Sequence, residues 1–203
     1  MLFRSEIVDN TLEIRATWSL AGVSRQPALR GETIWTVYAD GAIAVKMAVN
    51  KTYYAPFLPR FGITLPLPET EAVRYCGRGP TENYVDKCNA TWFGVFESTV
   101  RAMHEDYVRP QENGNHTECE WVTVGGLRAE ATERPFSFSV SPYTVEELTA
   151  AAHNFELKGC GHTELHIDFM QSGVGSHSCG PELSHRWRLN ALHFTFTCLI
   201  KPE

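Results

Sequence analysis

Ile34-Trp35-Thr36-Val37-Tyr38-Ala39-Asp40-Gly41-Ala42-Ile43-Ala44-Val45-Lys46-Met47-Ala48-Val49 decides the fold class. Two runs rich in β-branched and apolar residues flank Asp40-Gly41, a dipeptide that supplies the positive φ angles of a type I′ turn. The stretch therefore reads as a β-hairpin. Towards the N-terminus, Leu12, Ile14, Ala16, Trp18 and Leu20 alternate with Glu13, Arg15, Thr17 and Ser19, the period of a half-buried strand. Further strands are expected over 61–66, 71–76, 92–99, 118–124, 127–132, 136–141, 164–170 and 192–200. In the last, Leu192, Phe194, Phe196, Cys198 and Ile200 share one face, and His193, Thr195 and Thr197 the other. Only Thr144-Val145-Glu146-Glu147 opens a helix: it is a capping box, continued by Leu148-Thr149-Ala150-Ala151-Ala152. About ten strands, one short helix and no strand–helix alternation predict an all-β, antiparallel fold whose apolar sheet faces pack as a large sandwich. No linker, repeat or charge block divides the chain, so residues 1–203 are expected to form a single domain.

The composition fits that reading. The chain has 203 residues, 43% hydrophobic and 21% charged, with 15 glycines and 11 prolines, which excludes collagenous and low-complexity chains. A net charge of −6 argues against a basic face for nucleic acid or anionic lipid. No apolar run approaches the roughly 18 residues of a membrane span, and Met1-Leu2-Phe3-Arg4-Ser5-Glu6 lacks the apolar stretch of a signal peptide. Cys76, Cys88, Cys119, Cys160, Cys179 and Cys198 contain no C-x-x-C pair and are expected to be reduced, cytoplasmic thiols. The Asn-x-Thr triplets at Asn50, Asn89 and Asn115 are short enough to arise by chance.

Among residues with chemical potential, His162 and His166 are four apart, but on a strand that separation is about 13 Å, too far to share a metal ion. They are expected at the surface, and no metal site is expected. Gly173-Val174-Gly175-Ser176-His177-Ser178-Cys179-Gly180-Pro181 is a glycine-rich loop without the Lys and Ser/Thr of a phosphate loop and without a following helix. Its small polar side chains suit the lining of a neighbouring pocket. Glu82, Asp86, Glu112 and Asp168 are the acids near motif positions; retaining glycoside hydrolysis would need two carboxyls roughly 5 Å apart. Spacing in the sequence leaves that distance open. Two stretches concentrate Gly, Pro, Asn and Glu: Gly77-Arg78-Gly79-Pro80-Thr81-Glu82-Asn83-Tyr84-Val85-Asp86 and Tyr107-Val108-Arg109-Pro110-Gln111-Glu112-Asn113-Gly114-Asn115. They read either as capped loop architecture or as a polar, sugar-facing edge.

These two stretches resemble signature segments of the C-terminal, small-chain domain of family 2 β-galactosidases. Leu58-Pro59-Arg60-Phe61-Gly62 resembles the L-P-R-x-G element of that domain, and the Gly173–Pro181 loop its late glycine-rich element. The elements occur in the family's order from about residue 32 onward. The resemblance implies a galactose-mutarotase-like supersandwich within a larger retaining glycosidase, whose catalytic glutamates lie in a separate (β/α)₈ barrel. It implies that no residue here is catalytic, and that Arg78, Glu82, Asn83, Tyr84, Arg109, Pro110, Glu112, Asn113 and Gly114 are the family-motif positions. His177, Ser178 and Cys179 would form a loop at the substrate rim, with Cys179 where some members carry a sugar-stacking tryptophan. No cofactor is expected in this chain; magnesium or sodium in the parent would be bound elsewhere. The implied partners are the barrel and other domains of the parent, a carbohydrate substrate and an oligomer of the parent, with neither nucleic acid nor membrane.

Two other functions fit an all-β sandwich. A free-standing sugar epimerase needs a histidine and a carboxylate converging in an open cleft, and none of His116, His153, His166 or His185 lies in a pattern that identifies it. A carbohydrate-binding module would expose coplanar aromatics; Trp92, Trp121 and Trp187 alternate with neighbours in ways that favour core or interface burial.

Overall fold

A computed structural model describes residues 2–173 and 180–203. Its strands are Leu2–Val8 (β1), Thr11–Leu20 (β2), Leu29–Val37 (β3), Ile43–Lys51 (β4), Arg60–Leu67 (β5), Ala72–Gly79 (β6), Trp92–Thr99 (β7), His116–Cys119 (β8), Trp121–Val124 (β9), Leu127–Ala131 (β10), Phe136–Ser141 (β11), Thr163–Gln171 (β12) and His193–Pro202 (β13). One helix, Val145–Ala150 (α1), follows β11. The strands build a nine-stranded sheet in the order β1-β2-β3-β4-β13-β10-β9-β6-β7 and a four-stranded sheet in the order β5-β12-β11-β8. All described strand pairs are antiparallel. The all-β sandwich with one short helix is the expected architecture.

The register explains why the sheets face each other. Ile7, Leu12, Val37, Ile43, Ile200, Ala129, Val122, Tyr75 and Phe96 are successive partners, one per strand, forming an apolar row across the whole large sheet. Its centre is sealed: Ala129, Val122 and Tyr75 are fully buried. Phe136, Phe138, Val140, Leu165 and Ile167 of the small sheet complete one hydrophobic cluster with them. Alternate side chains of both sheets thus close a core by removing apolar area from water.

Several local expectations need correction. The hairpin at Asp40-Gly41 is present, but Gly41 N–H donates to Tyr38 O and Tyr38 N–H to Ala42 O, and only Gly41 has positive φ (86°). This is a type I turn closed by a glycine bulge rather than a type I′ turn; Asp40 instead accepts a hydrogen bond from the Ala42 amide. The expected strand 118–124 is two strands in different sheets. Glu118 has φ of 54°, and at Glu120 the chain crosses from the small sheet to the large one. Strand β1 was not anticipated; it pairs with β2 through a turn in which Asp9 and Asn10 take φ of 46° and 62°. The capping box is half formed. Thr144 Oγ1 accepts from the Glu147 amide, whereas the Glu147 carboxylate turns away to accept from the Lys158 and Gly159 amides. Trp92, on the edge strand β7, is 59% exposed and so lies outside the core of this chain, and Trp121 and Trp187 are half-buried.

Candidate functional site

The small sheet has an apolar inner face and a polar outer one. Strand alternation puts Glu164, His166 and Asp168 of β12 on the outer face, beside Gly62 and Thr64 of β5 and Ser137, Ser139 and Ser141 of β11. His166 is buried there, not at the surface, with Nδ1 against Thr64 Oγ1 at 2.9 Å. Burial holds its pKa down, at about 3, with Arg60 adding to the effect. His162 is partly exposed and pairs with Glu164, which raises its pKa.

Arg60 is the hub of this face. Its Nη2 donates to Asp168 Oδ2 at 2.6 Å, its Nε to Asp168 Oδ1 at 3.3 Å, and its Nη1 to Glu112 Oε1 at 2.6 Å. Burial works against the guanidinium charge, but the two carboxylates outweigh it and raise the Arg60 pKa. Asp168 is 2% exposed; desolvation pushes its pKa up to about 6 although Arg60 opposes this. Gly62 follows for a steric reason. A Cβ there would lie 2.2 Å from the Ile167 carbonyl oxygen and 2.3 Å from Asp168 Oδ1. The Leu58-Pro59-Arg60-Phe61-Gly62 element therefore joins β5 to β12 and both to the segment around Glu112.

The two dense stretches meet. Glu82 accepts from the Tyr107 hydroxyl at 2.9 Å, the Tyr84 hydroxyl at 3.1 Å and the Gly114 amide at 3.0 Å, with Lys87 Nζ at 3.6 Å. Asn83 N–H donates to Asn115 O, and Asn115 Nδ2 donates back to Asn83 O. Asn83 Nδ2 donates to the carbonyls of Arg78 and Thr81, while its Oδ1 accepts from the Thr117 amide and hydroxyl. Asn113 closes its own loop, accepting from the Glu105 amide and donating to the Glu105 and Gln111 carbonyls. Gly114 has φ of 70° and its missing Cβ would sit 2.4 Å from Met103 O, so only glycine fits. Arg78 reaches Thr91 O and Glu118. Pro110 is buried, whereas Arg109 is exposed and has no ion pair among the described residues. Of the family-motif residues, Arg109 and Pro110 make none of these hydrogen bonds. His177, Ser178 and Cys179 lie outside the described residues.

Burial pushes the Glu82 pKa up, but the Gly114 amide, the two tyrosine hydroxyls and Lys87 outweigh it and hold the carboxyl below its usual range. A depressed folded pKa adds stability above the unfolded value, and that stability is lost as pH falls through the folded one. Replacing Glu82 with Gln is expected to cost about 1–2 kcal/mol at pH 7. The gap to the parent chain should shrink as pH falls below 4 in urea unfolding; a gap independent of pH would contradict this account.

Two recesses differ in what they can hold. Arg60, Glu112, Ser139, Tyr143, His166 and Gln171 line a cavity with about 10 Å³ of free space, room for one water molecule. Gln171 Oε1, buried and unpaired, belongs to a side chain lining it. A wider recess of about 290 Å³ is lined by Val85, Cys88, Arg134, Phe136, Phe169 and Trp187. The Arg134 guanidinium lies 4.3 Å from the Phe169 ring centre. Gly173 closes in on Asp86, with its ideal Cβ position 3.4 Å from Asp86 Oδ1. Ser172 donates to Pro59 O and Leu58 O, which ties the end of β12 to the start of β5. Among the described residues, no three His, Cys, Asp or Glu side chains are grouped to hold a metal ion, and the five cysteines are unpaired. No described helix is long and apolar enough to cross a membrane.

Arg60 and Asp168 as the buried hub were not anticipated as a pair. The alternation Glu164, His166, Asp168 carried a trace of it, since three polar residues share one face of an otherwise apolar strand. The partner on β5 is a tertiary fact.

A family model described as β-galactosidase small chain matches residues 4–200. The chain is 38% identical to the β-galactosidase of Actinobacillus pleuropneumoniae over 187 residues, covering 92% of this chain and 18% of that protein. It is 38% identical to the β-galactosidase of Staphylococcus xylosus over 202 residues, 97% of this chain and 20% of that protein. With the β-galactosidase of Kluyveromyces lactis it shares 36% identity over 171 residues, 80% of this chain and 16% of that protein. The chain thus spans no more than a fifth of the length of these curated relatives.

Proposed function

The chain belongs to the β-galactosidase small-chain family, and we propose that it is a non-catalytic domain of a longer β-galactosidase that hydrolyses terminal β-galactosides such as lactose. The observation that carries this reading is the full-length family match combined with coverage of only 18–20% of the first two relatives. The chemistry of the acids supports it. Asp168 and Glu112 are both committed to Arg60, and Glu82 to two tyrosines and an amide. Retaining hydrolysis needs a carboxyl pair free to flank a sugar; these acids hold loops together instead. In this reading the fold is of the galactose-mutarotase type, residues 1–203 act as one domain, and catalysis rests with a separate barrel.

In this reading the loop containing His177, Ser178 and Cys179 serves as the substrate rim, and the described residues offer the recess of Phe169 and Trp187. A recess of that size and apolar character suits one face of a sugar ring or aglycone. Magnesium or sodium, where the parent uses it, takes its ligands from outside this chain. The unpaired thiols fit a reducing, cytoplasmic compartment, and the assembled parent is an oligomer. An epimerase is the weaker reading. His166 and Glu112 line one cavity, as that chemistry would ask, but the cavity has room for a water and not for a sugar.

The test is turnover of a chromogenic galactoside by the purified 203-residue chain beside the complete enzyme. The chain alone is expected to match the blank, and the complete enzyme to hydrolyse the substrate. Hydrolysis by the chain alone, or galactose anomerisation by it, would overturn the proposal.

A further inference from the structure

The apolar row across the large sheet is sealed at its centre and open at one end. Tyr75, Val122 and Ala129 have no exposure, whereas Leu12 is 39% exposed and Ile7 81%. A second row runs Phe196, Met47, Thr33, Ala16, Phe3, and its last member is 72% exposed. The small sheet stops short of this end: its edge strand β5 reaches Trp18, with the Phe61 and Trp18 rings 6.2 Å apart. Beyond Trp18, the hairpin of β1 and β2 carries the core face of the sandwich out into solvent. Every residue of β1 is exposed.

The two faces of this overhang have opposite character. The face continuous with the core bears no charged side chain on β1, β2 or β3; its members include Phe3, Ile7, Leu12, Ile14, Trp35 and Val37. The reverse face carries Arg4, Glu6, Glu13, Arg15, Arg30 and Glu32, with Arg15 paired to Glu13 and Glu32. The charged side is built for water and the uncharged side for burial. Contiguous apolar surface of this kind marks an interaction site, and a two-stranded extension is marginal until its apolar face is packed.

We propose that the uncharged face of β1–β3 is the docking surface for another segment of the same β-galactosidase, and that this segment meets it with an apolar, uncharged surface. The inference rests on the reading of the chain as one domain of a longer enzyme. Four-fifths of each of the first two relatives lies outside the region this chain matches, which leaves ample polypeptide to cover the face. The partner surface is uncharged because a charge seated on this face would lose its hydration with no counter-charge to meet.

Oxidative side-chain labelling read by mass spectrometry tests this on Phe3, Ile7 and Leu12. The complete enzyme, whether one polypeptide or assembled from two, is compared with the 203-residue chain at several concentrations. These side chains are expected to label about tenfold less in the complete enzyme, because an interface core excludes water, and to label freely in the chain alone. Equal labelling in both would overturn the proposal. So would protection in the chain alone that grows with concentration alongside a dimer mass, which would assign the face to a second copy. Galactoside hydrolysis by the same complete enzyme keeps the two readings apart. Activity without protection removes the docking surface only, and protection without activity removes the β-galactosidase reading only.

Discussion

Replacing Arg60 with methionine is expected to destabilise the chain by about 3–5 kcal/mol, because it strips the counter-charge from a buried carboxylate. Asp168 is 2% exposed and, among the described residues, both of its side-chain hydrogen bonds come from Arg60, at 2.6 Å and 3.3 Å. The loss should depend on pH. Burial has already lifted the Asp168 pKa to about 6 against the pull of Arg60. A folded pKa raised above the unfolded one, about 3.9, means that the folded chain binds the extra proton. Stability from this group therefore falls as pH rises from 4 to 6 and levels off above that. Without Arg60 the carboxyl climbs further, so the decline continues towards neutral pH and the gap between variant and parent widens from pH 5.5 to pH 8. Adding Asp168→Asn to Arg60→Met should recover more than half of the loss, since an amide tolerates the site without a counter-charge. Urea unfolding across that pH range checks all three statements. A gap of the same size at both ends would mean that Arg60 acts through packing and not through its charge.

How much of this could be read in advance varies with the range of the interaction responsible. Strand periodicity is local, so the bounds of β7 and β11 match their sequence reading to the residue, and β13 shows the expected face of Phe196, Cys198 and Ile200. The split of 118–124 was not legible. Its apolar pattern is continuous, and only the positive φ of Glu118 and the tertiary pull of two sheets divide it. Strand β1 was missed because its alternation is broken: Leu2, Arg4, Glu6 and Val8 give one face both charge and apolar ends, and the other face never reaches the core. The dense Gly, Pro, Asn and Glu stretches announced loop chemistry correctly. What they could not announce was pairing, since Glu82 finds Gly114 and Arg60 finds Glu112 and Asp168 only once four strands are in place. His166 followed the same logic. A histidine in a strand reads as surface until the loop at Glu112 and Asn113 and helix α1 are known to line the same cavity.

The loop pairing makes Asn83 the second position of large expected effect. Its side chain is fully buried and satisfies four groups: the Arg78 and Thr81 carbonyls through Nδ2, and the Thr117 amide and hydroxyl through Oδ1. Each buried group left without a partner costs about 1–3 kcal/mol. Overlap among neighbours, and local relaxation, keep the sum for Asn83→Ala near 3–5 kcal/mol. Asn83→Asp separates the two halves of the network. The carboxyl keeps the acceptor for Thr117 but turns a carboxylate oxygen towards two carbonyl oxygens. Protonated, it can donate to one of them, so the folded state raises its pKa above the unfolded value of about 3.9. The variant is therefore least damaged at pH 4 and loses stability as pH rises, whereas Asn83→Ala shows the same deficit throughout. Thermal unfolding of both variants from pH 4 to pH 8 distinguishes them. If the two profiles run parallel, the Nδ2 bonds to Arg78 and Thr81 contribute nothing, and the Asn83 side chain acts only through the acceptor bonds from Thr117.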